Sequence, residues 1–267
     1  MGSPPLKVIT AGDAKYRRYI ELTQRRALAL GYGIDIYDLN DLGFGTQHTV
    51  ADPEFRRTGR YRSPPGTTKS VRALHKPAVI QRSLRSAGGW ALYLDGDAIL
   101  HRPVDDVTGD DFDVGVTVRQ MWEVELIAAI RDDEYKRLAR GYINAGVILF
   151  CDTPRAIDFV HRWTASTAQL GNDQLALNSL VAPWRGARHK PRLFSVREAA
   201  GVRVKFLPAR DFNNIYLHDD AGIRYARRRA RILHFRAGRS RDAFDTVCAA
   251  CGIGEGADTD IVGGCGR

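Results

Sequence analysis

Asp95 and Asp97 stand one residue apart at the end of an apolar run, Trp-Ala-Leu-Tyr-Leu-Asp-Gly-Asp-Ala-Ile-Leu over residues 90 to 100. On an extended strand alternate side chains share a face, so the two carboxylates converge while Gly96 lets another backbone or a ligand come close. Paired carboxylates beside a buried strand need a compensating charge. Mg²⁺ or Mn²⁺ is the natural one, because these ions prefer carboxylate oxygens and share their remaining positions with phosphates. Taken alone, Asp-Gly-Asp is equally an ordinary strand-end turn.

Three further segments carry groups suited to the same chemistry. Residues 142 to 150, Tyr-Ile-Asn-Ala-Gly-Val-Ile-Leu-Phe, read as a buried strand with Asn144 at its entry. Residues 171 to 178, Gly-Asn-Asp-Gln-Leu-Ala-Leu-Asn, place Asp173 and Gln174 at a helix start behind Asn172 as N-cap. Residues 232 to 235, Ile-Leu-His-Phe, put His234 on a late apolar strand. Each has a plain structural reading: a turn residue at Asn144, a charge favourable to the helix dipole at Asp173, a core histidine at His234.

In this order the segments resemble the GT-A glycosyltransferases, most closely the retaining group that includes glycogenin and bacterial lipooligosaccharide galactosyltransferases. They also resemble bacterial nucleotide-diphospho-sugar transferases. The resemblance covers roughly residues 6 to 245 and lies in the joint order of the motifs. It implies an α/β fold of GT-A type, a Rossmann-like mixed and mainly parallel sheet flanked by helices. It also implies transfer of a sugar from a nucleotide-diphosphate donor, UDP-linked by family analogy, with a front-face mechanism that retains configuration.

The resemblance assigns roles residue by residue. Asp95, Asp97 and His234 map onto the positions that contact Mn²⁺ or Mg²⁺, with Asp95 also near the ribose. Asn144 and Asp173 map onto positions that hold the donor sugar, and their chemistry suits adjacent hydroxyls, since an amide both donates and accepts while a carboxylate accepts. Gln174 corresponds to the residue near the anomeric carbon. Asp13 and Tyr16, just after the first strand, lie where the fold faces the nucleotide base; Tyr16 could stack on it, and for Asp13 helix capping outweighs base recognition. Lys76 and Arg119 are candidate diphosphate or sugar contacts, with surface salt bridges as the alternative.

The pattern also departs from the family. Retaining relatives follow the metal histidine with Phe-x-Gly and Lys-Pro-Trp, whereas this chain continues Phe235-Arg236-Ala237-Gly238-Arg239-Ser240-Arg241. An extra residue precedes the glycine and the Lys-Pro-Trp is missing. Arg236, Arg239 or Arg241 could replace the lysine at the diphosphate.

Positioning these groups requires elements that the periodicity supplies. A strand at 6 to 10, a helix from an Asp13 cap to about Leu30, and a strand at 34 to 39 make a βαβ opening with its right-handed crossover. Residues 40 to 68, rich in Gly, Pro and Arg, read as a long surface loop, and 121 to 139 as a helix or lid. A helical segment carries residues 75 to 80, with Pro77 in its first turn. Further strands fall at 112 to 118, 202 to 207 and 231 to 235, and Thr153-Pro154 opens a helix that Gly171 ends.

The 267 residues, 44% hydrophobic and 27% charged, suffice for a sizeable core. The expected organisation is one catalytic domain over 1 to 245 and a Gly- and Cys-containing tail over 246 to 267. Forty Lys and Arg against 31 Asp and Glu, a formal charge of +9, favour anionic ligands: a nucleotide sugar, an anionic acceptor, or peripheral contact with a membrane. The densest basic stretch, Arg224, Arg227, Arg228, Arg229 and Arg231, reads first as a solvated face. No run is long enough to span a bilayer, and the N-terminus lacks the basic and apolar stretches of a signal peptide, which points to the cytoplasm. Cys248 and Cys251 form half of a zinc-type motif with Cys265 beyond, but no fourth ligand is evident, so reduced thiols on a loose tail are expected.

Two other function classes compete. A sugar-phosphate nucleotidyltransferase would open with a Gly-rich loop carrying an arginine, unlike Ile9-Thr10-Ala11-Gly12-Asp13-Ala14. A noncatalytic carbohydrate or nucleic-acid binder is permitted by the basicity, yet clustered acids would repel a phosphate backbone, so nucleic acid is not an expected partner.

Overall fold

The computed structural model describes residues 6–42, 74–84, 88–109, 111–119, 143–181, 191–235 and 242–254. Most of the 40–68 loop, the 121–139 segment, Arg236, Arg239, Arg241 and Cys265 lie outside them. The first βαβ unit forms as its sequence expects. Strand β1 (Leu6–Gly12) leads through a 3-10 turn (Ala14–Tyr16) into helix α1 (Arg17–Ala29), and β2 (Gly33–Asp38) returns parallel to β1. Gly31, at φ 76°, adopts the left-handed conformation that ends α1 at little steric cost.

The remaining strands are β3 (Trp90–Asp95), β4 (Ala98–Leu100), β5 (Val114–Val118), β6 (Ile143–Cys151), β7 (Val196–Ala199), β8 (Val202–Pro208) and β9 (Ile232–His234). Seven of the described strands form one sheet in the order β2-β1-β3-β6-β5-β8-β7. Here β1, β2, β3, β5 and β8 run one way and β6 and β7 the other. The sheet is therefore mixed and mainly parallel, as expected.

Helix α2 (His75–Leu84), α3 (Pro154–Leu170) and α4 (Asp173–Val181) cover one face. There Val79, Ile80, Phe159, Trp163 and Leu177 pack with Ile9, Tyr93, Val116 and Ile148. The caps that start and stop α3 are those its sequence announces: the Thr153 hydroxyl accepts from the Ala156 N–H at 3.2 Å, Pro154 opens the first turn, and Gly171 closes the helix at φ 63°. On the other face Val8, Leu92, Leu94 and Leu149 pack against Ala27, Leu100, Phe112 and Ile232. The alternation of β3 thus divides its side chains between two cores, and Tyr93 belongs to the helical face.

Across the second face lies a two-stranded ribbon of β4 and β9, with Ala98 opposite His234. Two short strands of this kind carry no period, and the sequence expects no such ribbon at β4. Helices α5 (Ala209–Phe212), α6 (Asp220–Arg229) and α7 (Phe244–Ala250), with a second 3-10 turn (Asp105–Val107), complete the described elements. Helix α7 corrects the loose-tail reading of Cys248 and Cys251: Phe244, Val247 and Cys248 are buried against Tyr19, Leu22 and Phe235. Burial pushes the Cys248 thiol up to about 12. The basic stretch also divides. Arg224, Arg227, Arg228 and Arg229 are exposed on α6, whereas Arg231 pairs with Asp106 and donates to the Pro103 carbonyl at 2.8 Å.

Candidate active site

The strand registers bring the chemistry-bearing residues to one edge of the sheet. Ala11 lies opposite Asp95 between β1 and β3, Leu94 opposite Val147 between β3 and β6, and Thr117 opposite Asn144 between β5 and β6. The carboxyl ends of the parallel strands, the entry of β6 and the start of α4 therefore meet where α/β sheets place their ligands. The β4–β9 ribbon supplies the last member: the Phe235 N–H donates to the Asp97 carbonyl at 2.8 Å, which ties the His234 strand to the Asp-Gly-Asp turn.

One ligand atom each from Asp95, Asp97 and His234 lies within 4.8 Å of the others. His234 Nε2 is 3.1 Å from an Asp97 oxygen and 3.9 Å from an Asp95 oxygen. Two hard anionic oxygens and one imidazole nitrogen, all partly or fully shielded from water, are a donor set that suits Mn²⁺ or Mg²⁺. Close approach is secured by two glycines. A Cβ on Gly96 would lie 2.7 Å from the Ala11 carbonyl oxygen, and one on Gly146 would lie 2.5 Å from His234 Cε1 and 2.9 Å from an Asp95 oxygen.

Beside this triad, the Lys76 ammonium sits between two acids, 2.9 Å from Asp95 and 2.9 Å from Asp173. The Ala145 carbonyl accepts at 3.4 Å. Burial by itself would push the Lys76 ammonium down, but Asp173 and Asp95 outweigh it and hold it above its usual range. Burial likewise tends to raise Asp173, and the Lys76 charge outweighs this to hold the carboxyl below its usual range. Both groups are thereby kept ionised. The Tyr93 hydroxyl donates to Asp95 at 3.1 Å.

Helix α4 presents Asp173 because its N-terminus is firmly set. The Asn172 side chain accepts from the Leu175 N–H at 2.9 Å as the N-cap, and Trp163 Nε1 donates to the Asp173 carbonyl at 2.8 Å. Asn178 fastens the same helix to β6, accepting from the Ile143 N–H and donating to the Ile143 carbonyl, both at 3.1 Å. Gln174 follows Asp173 in the first turn and is half-buried. Asn144 is buried, and its side-chain oxygen accepts from the Gly146 N–H at 2.8 Å.

The remaining expected residues follow the carboxyl ends of β1 and β5. Asp13 caps the 3-10 turn, accepting from the Lys15 N–H at 2.8 Å, while its other oxygen is buried without a hydrogen-bond partner among the described residues. Capping and a spare acceptor thus coexist. Tyr16 is half-buried beside Gly96, where a Cβ on the glycine would touch its ring base at 3.2 Å. Arg119 is buried at the end of β5. Two residues with no assigned role in the sequence reading also belong here: Asn213, whose side-chain oxygen is 2.7 Å from His234 Nδ1, and Thr117, which contacts Asn213. Neither sits in a recognisable motif.

No family model and no curated protein matches the chain. Among solved structures it is similar to a glycosyltransferase involved in the glycosylation of the major capsid of PBCV-1. The TM-score is 0.55 at 12% identity, covering 91% of this chain and 98% of that one. The glycosyltransferase GlyE of Streptococcus pneumoniae TIGR4 matches at TM-score 0.45 and 14% identity, over 88% of this chain and 55% of that one. Mouse xyloside xylosyltransferase 1 matches at TM-score 0.41 and 12% identity, over 89% of this chain and 99% of that one. The last two scores are too low to carry weight. Along nearly its whole length, then, the chain shares the mixed, mainly parallel α/β fold of that glycosyltransferase.

Proposed function

We propose that the chain is a metal-dependent glycosyltransferase that moves a sugar from a nucleotide-diphosphate donor, UDP-linked, to an acceptor, with retention. The observation that carries this reading is the convergence of Asp95, Asp97 and His234 beside the Lys76–Asp173 pair at the ligand edge of a glycosyltransferase fold. Asp95, Asp97 and His234 would hold Mn²⁺ or Mg²⁺, which when bound supplies Lewis-acid stabilisation of the departing diphosphate.

The protein's own groups then divide the remaining work. Asp173, kept ionised by Lys76, accepts hydrogen bonds from donor-sugar hydroxyls, and Asn144 offers its amide to the same ring. Gln174 stands at the reacting carbon, where a poor nucleophile agrees with retention through the leaving group itself. The spare oxygen of Asp13 and the ring of Tyr16 receive the base, and Arg119 faces the diphosphate. Lys76, expected as a diphosphate or sugar contact, has a further role in this reading: an ammonium has three hydrogens, and Asp95, Asp173 and the Ala145 carbonyl surround it. It ties the metal acid to the sugar acid.

The reading includes a single catalytic unit, expected through residue 245 and extended here to the end of α7, and a cytoplasmic enzyme. Among the described residues no helix is long and apolar enough to cross a membrane. Exposed Arg224, Arg227, Arg228 and Arg229 suit an anionic acceptor or membrane surface.

The test is release of nucleoside diphosphate from UDP-, GDP- and dTDP-linked sugars with Mn²⁺, with Mg²⁺ and with chelator. Slow, metal-dependent turnover of one donor class is expected. Asp97→Asn should lower it about 100-fold, since Lewis-acid stabilisation contributes several kcal/mol. Turnover that chelator and Asp97→Asn leave unchanged would contradict the metal role.

A further inference from the structure

We propose that Thr117 and Asn213 form a hydrogen-bond relay that fixes the tautomer of His234, so that its Nε2 lone pair faces Asp95 and Asp97. The relay rests on the reading of that triad as a metal site, and its two residues are positioning groups, not metal ligands.

It begins at an irregularity in the sheet. Pairing of β5 with β6 shifts register between Val116 and Thr117, from Val116 opposite Ile148 to Thr117 opposite Asn144. Such a bulge re-aims the side chain that follows it. Here it brings the Thr117 hydroxyl to the Asn144 carbonyl, to which it donates at 3.2 Å. A hydroxyl has one proton. With that proton committed, Thr117 Oγ1 is left as an acceptor, and Asn213 Nδ2 donates to it at 2.9 Å.

This orients the Asn213 amide. Its nitrogen points to Thr117, so its oxygen points to His234 Nδ1, 2.7 Å away. An amide oxygen can only accept, hence Nδ1 carries the hydrogen. In the neutral ring Nε2 is then a bare lone pair, and it looks at Asp97 from 3.1 Å and at Asp95 from 3.9 Å. Acceptors facing each other at that distance repel unless a proton or a metal cation lies between them, and a metal-binding histidine requires the second arrangement.

The relay is shielded and rigid. Thr117 and Asn213 are each 1% exposed, His234 2% and Asn144 4%, so solvent does not compete for their hydrogen bonds. The backbone moves as a unit with the histidine: the Asn213 N–H donates to the Ala209 carbonyl at 2.8 Å. Neighbouring Asn214 donates to the Ile232 carbonyl at 3.0 Å and accepts from the His234 N–H at 2.8 Å. The chain of bonds also couples the metal histidine to the Asn144 backbone carbonyl.

Thr117→Val removes the relay hydroxyl while keeping a β-branched side chain of similar size. The Asn213 amide, without its acceptor, can turn its NH₂ toward Nδ1 and drive the hydrogen to Nε2. Thr117→Ser restores the hydroxyl and serves as the control. Two readouts apply. Side-chain ¹⁵N NMR of the metal-free protein in alkaline buffer should show the Nδ1–H tautomer of His234 in wild type and Thr117→Ser, and its loss in Thr117→Val. Titration with Mn²⁺ alone, followed by the EPR signal of free ion, should show Thr117→Val weakened about 10- to 100-fold and Thr117→Ser close to wild type.

An unchanged tautomer with unchanged Mn²⁺ affinity in Thr117→Val would overturn the relay. Equal weakening in Thr117→Ser would also overturn it, by assigning the effect to packing. Should wild type bind no Mn²⁺, the metal-site reading falls, and the tautomer comparison alone decides whether the relay exists.

Discussion

Lys76 concentrates the electrostatics of the site in one side chain. Half-buried between Asp95 and Asp173, with its side chain 12% exposed, it compensates two carboxylates at once, and removing one partner of such a cluster strands the others in a poorly solvated place. Lys76→Met should therefore cost about 3 to 5 kcal/mol of stability, measured by urea unfolding. The pH dependence follows from the signs. Asp173 is held below its unfolded value, so its contribution is complete above the ordinary aspartate range and is lost as pH falls through the folded value. Lys76 is held above its unfolded value, so its contribution is present below the ordinary lysine range and is lost as pH rises through the folded value. Lys76→Met should flatten both limbs; an unaltered acid limb would show that the cation does not hold Asp173 down.

Some of this was legible at residue scale. Strand alternation announces that Asp95 and Asp97 share a side, and Asn172-Asp173 reads as a helix start because capping is a local interaction. The Lys76 tie was not legible, since it depends on how α2, β3 and α4 approach one another. Thr117 and Asn213 were still less so: their meeting depends on a register shift between two strands, which leaves no period in either.

At the scale of elements, the close packing of β6 against β9 determines whether the triad can assemble. Gly146→Ala places a Cβ 2.5 Å from His234 Cε1, so the imidazole must move away from Asp97 or the strands must part. The expected outcome is a folded protein, destabilised by about 1 to 3 kcal/mol as for other overpacked sites. Its Mn²⁺ affinity should fall about 10-fold or more. Wild-type affinity in the EPR titration would mean that the ring has room the structure does not give it. Long periodic elements such as α1 and α3 were readable, α3 with both its caps, whereas the Asp13 cap expected to open α1 starts the 3-10 turn ahead of it. The three-residue strands β4 and β9 escape periodicity, although His234 was visible on an apolar run. For α7 the signal was present, Phe244, Val247 and Cys248 at helical spacing, but the glycines that follow it in sequence suggested a loose end.

For the whole molecule, the opening βαβ unit and the alternation of strands with helices indicate an α/β sheet, while the order β2-β1-β3-β6-β5-β8-β7 is set by long-range pairing that composition does not encode. The C-terminal helix shows the consequence. Cys248 is buried against Tyr19, Leu22 and Phe235, and its thiol is pushed up to about 12 by that burial. In the native protein it should react with a thiol reagent only as fast as α7 opens, and fully once urea unfolds the chain. Immediate native labelling at this position would place α7 outside the folded unit.

Anomalous diffraction from crystals soaked with Mn²⁺ and UDP bears most directly on the central claim, that the Asp95, Asp97 and His234 constellation is the metal centre of a sugar-transferring site. The expected result is one peak within about 2.0 to 2.3 Å of a carboxylate oxygen of Asp95 and of Asp97 and of His234 Nε2, with diphosphate oxygens completing its shell. A peak elsewhere, or UDP bound with no ion at the triad, would contradict it.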